Sequence, residues 1–422
     1  MSRHQFEAYL DKVFDFSHQV TGLSEGRRSP LHSWKKVFDA VFLGAACQFP
    51  NLHQIEAECR RGALAKRIGS LSEDAIGYAL ERQDSHPVFA LGCHVARRLK
   101  RNAVLHSDWA RGRVVAAADG IEICRSFVRC CDQCMERKVS HKVGDELRED
   151  IQYYHRIVAV MVVSTAFPIP LGVRFQKDGE TEVSCALALL HDLKDQLGCR
   201  FFDLIVADAL YLQTPFVGEL EKIGWEWVIN LKENQPELMA EAERATAGPP
   251  DYQQADEDQQ LQLWYAPEVF WPVADRSIGI VRTQRTLHKK KLPLRPSSGR
   301  TKPQGKQACD ETGLNYYAAN VALGSVPPLF IHQLGRSRWM IDTEAFQTLT
   351  TDSHLKQPSV HQNRGQALVN LTMIRVLAFT LSVVFYHRQV RSHFRRASFG
   401  FCDLARQIAY AFLPSAPRLD SS

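Results

Sequence analysis

The sequence predicts an α/β fold in which a mixed sheet is flanked by helices, preceded by a helical domain and interrupted by a β-rich insertion. Three observations lead to this fold class. Apolar residues recur at helical spacing over residues 1–110, and β-branched runs separated by turn residues begin at residue 113. Further on, a segment rich in Pro, Gly, Ser and Lys separates two strand-like runs. The length of 422 residues suits one large domain with additions, or two to three domains.

The composition is that of an ordinary soluble globular protein, with 45% hydrophobic and 23% charged residues. A net charge of +5 is too small to show by itself that the partner is a polyanion. The 11 cysteines are odd in number and irregularly spaced, which argues against a secreted disulfide scaffold. The first residues contain no apolar segment of the kind that a signal peptide needs. We therefore expect a cytoplasmic protein.

The first predicted domain, residues 1–110, is helical. Ser33–Gln48 carries apolar residues at helical spacing, and Ser72 is the kind of residue that begins a helix. A short segment, Gly69–Ser72, separates two of the helices. This arrangement fits a helix-turn-helix domain that binds DNA, and it fits a plain helical packing module equally well.

The second predicted domain, residues 111–235, orders its strands and helices as β-β-β-α-β-α-β. The strands are predicted at Val114–Ala118, Tyr153–Ser164, Leu171–Phe175, Phe202–Ala207 and Trp225–Leu231, and the helices at Glu182–Leu197 and Thr214–Ile223. The first three strands can form a meander. The later β-α-β connections need right-handed crossovers, so we expect a mixed sheet with helices on its faces.

Three further domains follow in the prediction. Residues 236–325 form a β-rich insertion with a basic loop, and its segment Gln253–Gln262 is expected to be an exposed bridge. Residues 326–365 return to the core with a helix that carries the last acidic residues. Residues 366–422 form C-terminal helices and a tail.

The segment Ala367–Tyr386 is apolar and long enough to span a bilayer. Arg375 lies near its centre and Asn370 in its first quarter. A central Arg costs at least about 2.5–3.5 kcal/mol on insertion into a membrane. The sequence has no second segment of this kind. We therefore predict a buried helix packed on the core and no membrane partner.

Acidic residues lie where two predicted strands end. Asp119 follows the first strand and precedes Gly120, which would let the backbone leave the sheet sharply, and Asp208 follows the fourth strand. Asp342 and Glu344 lie in a helical context far downstream. Each aspartate alone is more simply explained as a turn or helix-cap residue. Together, three separated carboxylates suit two Mg²⁺ (or Mn²⁺) ions that activate a nucleophile and stabilise a leaving oxygen in phosphoryl transfer.

Residues from about 110 to 365 resemble the DDE transposases of bacterial insertion sequences, the cut-and-paste type with a ribonuclease-H-like core. The matching motifs are, in order, Ala118-Asp119-Gly120 with Ser126, Tyr153-Tyr154-His155, Val206-Ala207-Asp208-Ala209, Leu231-Lys232-Glu233-Asn234-Gln235-Pro236 and Gly335 through Phe346. The resemblance implies a ribonuclease-H-like fold, strand transfer of DNA ends with two divalent metal ions, and a β insertion between the second and third acids. It implies that Asp119, Asp208 and a third acid are the catalytic metal ligands.

The third acid is where the sequence departs from the family pattern. The family usually has an Arg, three residues and a Glu, with a Tyr upstream and a Lys downstream. Here Arg338 is followed at that spacing by Asp342, while Gly335 takes the Tyr position and Leu349 the Lys position. We favour Asp342 as the ligand because Arg338 lies one helical turn before it, and Glu344 is the alternative. If neither acid reaches the metals, the protein is an inactive relic.

Basic residues are concentrated between Arg282 and Lys306, where the sequence has nine Lys or Arg and no acid. Lys289, Lys290 and Lys291 are the densest run. Such a segment suits contacts to DNA phosphates that do not depend on base sequence. The alternative is a solvated loop.

A second basic cluster, His387–Arg396, follows the apolar helix and either contacts the DNA backbone or caps the helix. The resemblance implies that Lys232 and Gln235 lie near the bound DNA end, and we group Arg338 with them as a DNA-binding residue. For Lys232 and Gln235 the alternative is an ordinary surface turn.

Cys131 and Cys134 form one C-x₂-C pair, and His141 and His155 lie downstream. A closed zinc site needs four such ligands, so the pair suggests zinc without completing the set. Free reduced thiols in a loop are the alternative.

The resulting hypothesis is a DNA transposase that cuts the ends of an insertion sequence and transfers them to target DNA. Its partners would be those DNA ends, the target DNA and a second copy of the chain, because two ends must be held together in the reaction complex. Two alternatives stay open. One is a ribonuclease-H-like nuclease that cuts without strand transfer, and the other is a DNA-binding relic without activity.

Overall fold

A computed structural model describes residues 3–143, 146–288, 311–321, 326–357, 365–390 and 400–413. The chain forms two compact units. The first consists of Met1–Val114, Ala118–Phe201 and Trp339–Ser422, and the second of Val115–Ala117 and Phe202–Arg338. The five predicted domains follow other boundaries and stay a prediction.

The first unit begins with the predicted helices. They are α1 (Arg3–Phe14), α2 (Phe16–Thr21), α3 (Trp34–Ala46), α4 (Leu52–Arg61), α5 (Glu73–Arg82) and α6 (His86–Arg101). Local sequence explains where three of them begin. The side chains of Ser33, Asn51 and Ser72 each accept a hydrogen bond from the backbone N–H three residues later, which satisfies a donor that the first helical turn leaves open. Ser72 is therefore confirmed as a helix start.

Strand β1 (Val115–Ser126) belongs to the first unit from Ala118 onward. The other strands of this unit are β2 (Met135–Val143), β3 (Glu146–Val162) and β4 (Ile169–Phe175). The long strand β3 pairs antiparallel with β2 along its first half and with β4 along its second half. Helix α7 (Glu182–Leu197) follows and packs on β3 and β4. It begins with a capping box between Thr181 and Ser184.

The C-terminal part of the first unit contains a π-helix (Ile341–Phe346), α11 (Gln347–Thr351), α12 (Gln366–Phe385), a second π-helix (Tyr386–Val390) and α13 (Phe401–Phe412). Helix α12 packs against α3, α5, α6 and β4. The segment Gln366–Val390 is apolar and long enough to cross a membrane, but 89% of its most apolar window is buried inside the protein. The prediction of a buried core helix is confirmed.

Backbone carbonyl groups accept hydrogen bonds from two buried polar residues of α12. The Arg375 guanidinium donates to the oxygens of Pro50 (2.9 Å) and His354 (3.1 Å). The Asn370 amide donates to the oxygens of Leu80 (2.8 Å) and Gln83 (2.7 Å) at the end of α5. These contacts make burial of the two side chains tolerable, because a buried polar group without a partner is costly.

The second unit contains β5 (Leu204–Ala207), α8 (Thr214–Ile223), β6 (Glu226–Leu231), α9 (Pro236–Ala245), β7 (Tyr252–Ala255), β8 (Gln259–Trp271), β9 (Arg276–Leu287), β10 (Glu311–Ala319) and α10 (Pro328–Ser337). Strands β5 and β6 are parallel, as the right-handed β-α-β prediction requires. Strand β10 then pairs antiparallel with β6, and β9, β8 and β7 follow in antiparallel pairs. The β-rich insertion therefore continues the sheet that β5 and β6 begin.

The strand order of the sheet is β2-β3-β1-β5-β6-β10-β9-β8-β7, with β4 also paired to β3. Strands β4, β3, β1, β5 and β6 have the order expected of a ribonuclease-H-like sheet, in which three consecutive strands are followed by two that enter through helical crossovers. The predicted fold class, a mixed sheet flanked by helices with a β-rich insertion, is confirmed.

Two local predictions were wrong. Strand β1 does not end at Asp119 but continues to Ser126. The segment Gln253–Gln262 is not simply an exposed bridge, because most of it belongs to β7 and β8, which pair with each other. Its polar side chains lie at the edge of a sheet with one solvated face, where alternation of apolar residues is weak.

Candidate active site

Asp119 lies within β1, at the point where the strand stops being buried. Val115–Ala118 are fully buried, and Asp119–Glu122 are half-buried. The Oδ1 atom of Asp119 accepts a hydrogen bond from the backbone N–H of Gly120 (2.8 Å). The apolar run Val115–Ala118 thus forms the buried part of the strand, and Asp119 is the first residue of the half-buried part.

Gly120 lies within the strand, where it allows close packing and does not form a turn. A Cβ atom at this position would lie 2.5 Å from the carboxyl group of Glu182, which is far inside van der Waals contact. Glu182 is the first residue of α7 and forms an ion pair with Arg156 (3.1 Å). No sequence pattern singles out Glu182, because a Glu in the first turn of a helix is explained by the helix dipole alone.

Asp208 directly follows β5 in the second unit and begins a short 3₁₀ helix, Ala209–Tyr211. Its Oδ1 atom accepts a hydrogen bond from the backbone N–H of Ala209. Asp208 is therefore a helix cap, but its side chain remains 31% exposed and interacts with two cations. Lys232 Nζ lies 3.2 Å from Oδ1, and Arg338 Nη1 lies 4.0 Å from Oδ2.

Lys232 and Gln235 follow β6, and the structure gives them different roles. The Lys232 side chain is 61% exposed, so its ammonium group is accessible as well as being close to Asp208. The Gln235 side chain is held by the protein, since it donates to the oxygen of Leu212 (2.9 Å) and accepts from Trp271 Nε1 (3.3 Å). Gln235 thus anchors the loop that follows Asp208.

Asp342 and Glu344 lie on the π-helix Ile341–Phe346 of the first unit. The helical context predicted for them is present, but its hydrogen bonds span five residues instead of four, a feature that is rare and often found at functional sites. Asp342 is half-buried. Desolvation raises the pKa of the Glu344 carboxyl group above its usual value.

Gly335 and Leu349 take the positions where the family resemblance implies Tyr and Lys, and both have structural explanations. Gly335 lies on α10, where a Cβ atom would approach the ring of Tyr317 to 2.2 Å. Tyr317 lies on β10 and is buried, so its ring cannot easily move away. Leu349 is 1% exposed and belongs to the core of the first unit.

The dense basic run of the insertion, Lys289, Lys290 and Lys291, lies outside the described residues. Arg282 and Arg285 of the same cluster lie on β9. Arg282 packs over the Trp264 ring, 4.4 Å from its centroid, and Arg285 donates to Gln259 Oε1 (2.9 Å). Of the cluster His387–Arg396, residues 391–396 also lie outside the described residues, while His387 stacks on Phe167 at 3.7 Å.

A separate group of metal-ligating side chains lies in the first unit. The Sγ atoms of Cys131 and Cys134 and the Nε2 atom of His155 lie close together, 3.2–3.6 Å from one another. The other histidine considered, His141, does not join them, because it lies on the hairpin of β2 and β3 beside Asp150 (3.6 Å).

Comparison with known proteins identifies the class. The family described as "Transposase DDE domain" matches residues 125–343, which are 219 of the 422 residues of the chain. The matched range includes Asp208 and Asp342 and begins shortly after Asp119. No curated protein sequence matches the chain significantly.

Among solved structures, the chain is similar to a piggyBac transposase synaptic complex with hairpin DNA, determined by cryo-electron microscopy. The sequence identity is 10%, the TM-score is 0.42, and the similarity covers 97% of this chain and 79% of that chain. At that score and identity the similarity establishes neither fold nor function. The family match does not depend on it and spans more than half of the sequence, so the chain belongs to the transposase DDE domain family.

Proposed function

We propose that the protein cuts DNA at the ends of an insertion sequence and joins the freed ends to target DNA. The acids proposed to hold two Mg²⁺ or Mn²⁺ ions are Asp119, Asp208 and Asp342, with Glu344 as the alternative third acid. Membership of the transposase DDE domain family carries this proposal. The reaction would take place in the cytoplasm, with two copies of the chain holding two DNA ends.

The residues fit such ions by their chemistry. Mg²⁺ and Mn²⁺ prefer oxygen ligands and keep several waters, so a few carboxylates with access to solvent are sufficient. The side chains of Asp119, Asp208 and Asp342 are each partly exposed rather than sealed in the core. Two such ions supply positive charge to the attacking and leaving oxygens of a phosphodiester.

The protein residues near Asp208 would serve the DNA. Lys232 and Arg338 bring two positive charges to this carboxylate. When cations occupy the carboxylate, the exposed Lys232 ammonium is available for a phosphate of the DNA end. Gln235, by anchoring the loop through Leu212 and Trp271, would position the residues around it instead of contacting DNA.

The spacing of the sequence favours Asp342 over Glu344 as the third acid, because Arg338 lies one helical turn before Asp342.

The test is Mg²⁺-dependent nicking of a plasmid that carries the genomic segment around the gene, with Asp119→Ala, Asp208→Ala, Asp342→Ala and Glu344→Ala compared with the wild type. We expect the first three variants to lose at least about 100-fold in rate, because each would remove a ligand of the reacting metal ions. Asp178→Ala, at an exposed loop acid of the first unit, is the matched control and should keep wild-type activity.

The outcomes separate the alternatives. Nicking that survives Asp119→Ala and Asp208→Ala rejects the assignment of the site. Loss of activity in Glu344→Ala but not in Asp342→Ala makes Glu344 the third acid. Nicking without joined products indicates a nuclease only, and a wild-type protein that binds DNA but neither nicks it nor binds Mn²⁺ is an inactive relic.

A further inference from the structure

We propose that Cys131, Cys134 and His155 bind one structural Zn²⁺ ion, separate from the ions of the transposition reaction and independent of the proposed function. The three side chains come from two places in the first unit. The cysteines lie in the loop between β1 and β2, and the histidine lies in the middle of β3. The loop and the strand would thus be joined by a metal instead of by a hydrophobic contact.

The distances among the three ligand atoms match those of a tetrahedral zinc site. With Zn–S bonds of about 2.3 Å and Zn–N bonds of about 2.05 Å, two sulfurs lie about 3.8 Å apart and a sulfur lies about 3.6 Å from a nitrogen. Here the two Sγ atoms are 3.6 Å apart, and His155 Nε2 lies 3.4 Å from Cys131 Sγ and 3.2 Å from Cys134 Sγ. One cation can therefore contact all three atoms without a large rearrangement.

Hydrogen bonding explains this arrangement less well than a metal does. A neutral imidazole carries at most one proton on Nε2, so it can donate to only one of the two sulfurs at a time. Thiols are weak donors and weak acceptors, which gives little reason for all three atoms to gather. Two thiolates and an imidazole form a soft, tetrahedral donor set, for which Zn²⁺ is the usual metal.

The backbone around the cysteines holds the two sulfurs close together. The N–H group of Cys131 donates to Cys134 Sγ (3.2 Å), and the N–H group of Cys134 donates to the carbonyl oxygen of Cys131 (3.0 Å). These bonds close a tight turn that holds both sulfurs on one side.

The histidine is held in place before any metal binds. His155 is 2% exposed, and its ring lies edge-to-face against Phe175 on the neighbouring strand β4, with the centroids 5.7 Å apart. Gly365 lets the backbone before α12 approach the site, because a Cβ atom there would lie 3.0 Å from Cys131 Sγ. The His155 ring and the cysteine loop therefore have little freedom to rearrange, which favours binding of one ion in one geometry.

The fourth coordination position can be filled by water or by another thiol. Cys124 in β1 is one candidate, because it is buried and interacts electrostatically with both Cys131 and Cys134. Its backbone has a φ of 54°, which is unusual for a residue other than glycine.

The test is the zinc content of the purified full-length protein, measured by mass spectrometry after purification without chelators. We expect about one zinc per chain for the wild type and a loss of at least about tenfold in Cys131→Ser, Cys134→Ser and His155→Ala. Cys130→Ser is the matched control, since Cys130 is adjacent to the site but exposed and not part of the cluster. This control should keep its zinc.

Two further measurements guard against variants that fail to fold. His155→Cys supplies another zinc ligand at the same place and should retain zinc where His155→Ala loses it. Wild-type protein exchanged into Co²⁺ should show the visible absorption of a tetrahedral cobalt site, and chelation should lower its unfolding temperature. Wild-type protein without zinc or a tetrahedral cobalt spectrum, or zinc retained in both cysteine variants, would overturn the proposal.

Discussion

At the scale of single residues, Asp208 shows how two nearby cations balance one partly exposed carboxylate. The carboxylate is partly exposed, and Lys232 and Arg338 supply two positive charges close to it. Arg338 is buried and therefore fixed, whereas Lys232 is exposed and its long side chain can turn to another partner. If Asp208 holds a metal ion as proposed, Lys232 is the cation of this pair that would turn to a DNA phosphate.

Replacing Lys232 tests that role. We expect Lys232→Ala to weaken binding of the DNA ends about 3–10-fold at low salt and to reduce the slope of log Kd against log salt concentration by about 1, as the loss of one phosphate contact should. The measurement is DNA binding by fluorescence anisotropy at several salt concentrations.

Lys222→Ala is the control for this experiment, because Lys222 is an equally exposed lysine that pairs only locally with Glu219 in α8. An unchanged salt slope in Lys232→Ala would assign Lys232 to the neutralisation of Asp208 alone.

Helix α10 shows at the scale of secondary structure why a family position can change its residue. The helix packs on β6 and β10, and Gly335 faces the ring of Tyr317 so closely that a side chain has no room. A tyrosine at position 335, which the family resemblance would place there, is thus incompatible with Tyr317 in the strand. The residue preference of the helix is set by its neighbour and not by its own propensity.

A pair of glycine variants separates packing from helix propensity. Gly335→Ala should destabilise the protein by about 2 kcal/mol, because the added methyl group meets the buried Tyr317 ring. Gly218→Ala, in the middle of α8, meets no atom within 4 Å and should stabilise the protein by about 0.5–1 kcal/mol. Urea unfolding of both variants measures the difference.

The opposite signs expected for the two variants make the pair informative. A stabilising effect of Gly335→Ala would mean that Tyr317 moves freely, and the close contact between α10 and β10 would then be incorrect.

The stability of the whole molecule should depend on pH through a buried histidine. His332 on α10 is 6% exposed, and burial, with smaller effects of Arg336 and Arg285, lowers its pKa from 6.5 to about 4. In the unfolded chain the same group regains its ordinary pKa, so at low pH the unfolded state binds more protons. The contribution to stability is therefore complete above pH 6.5 and is lost as the pH falls from 6.5 towards 4.

The prediction is a fall of up to about 3 kcal/mol in the free energy of unfolding over that pH range from this group. His332→Phe keeps a ring beside Tyr317 but cannot be protonated, so its pH dependence should be flatter than that of the wild type. His53→Gln, at a side chain that is 80% exposed, is the control and should leave the pH dependence unchanged. Identical slopes for His332→Phe and wild type would contradict the proposed titration.

At the same scale, the second unit joins strands that are distant in the sequence into one sheet. The strands of the insertion follow β6 in the strand order, although β10 lies about eighty residues after β6 in the sequence. Family membership applies to the range that contains this insertion, from residue 125 to residue 343.

The sequence by itself determined the local structure wherever one pattern dominates. The sequence pattern predicted α7 and α8 with their observed ends, and the buried runs predicted β5 and β6 to within two residues. The order and spacing of short motifs around Asp208 and Asp342 also predicted the transposase family. These features are local, so composition and periodicity suffice to define them.

Only the tertiary structure decided which residues meet. It joined Lys232 and Arg338 to Asp208, engaged Gln235 with Leu212 and Trp271, and brought His155 instead of His141 to the two cysteines. It also showed that β1 continues beyond Asp119 and that Gly120 packs closely against Glu182 instead of forming a turn. Such contacts depend on strand pairing and helix packing between distant segments, and no local pattern of residues encodes those partners.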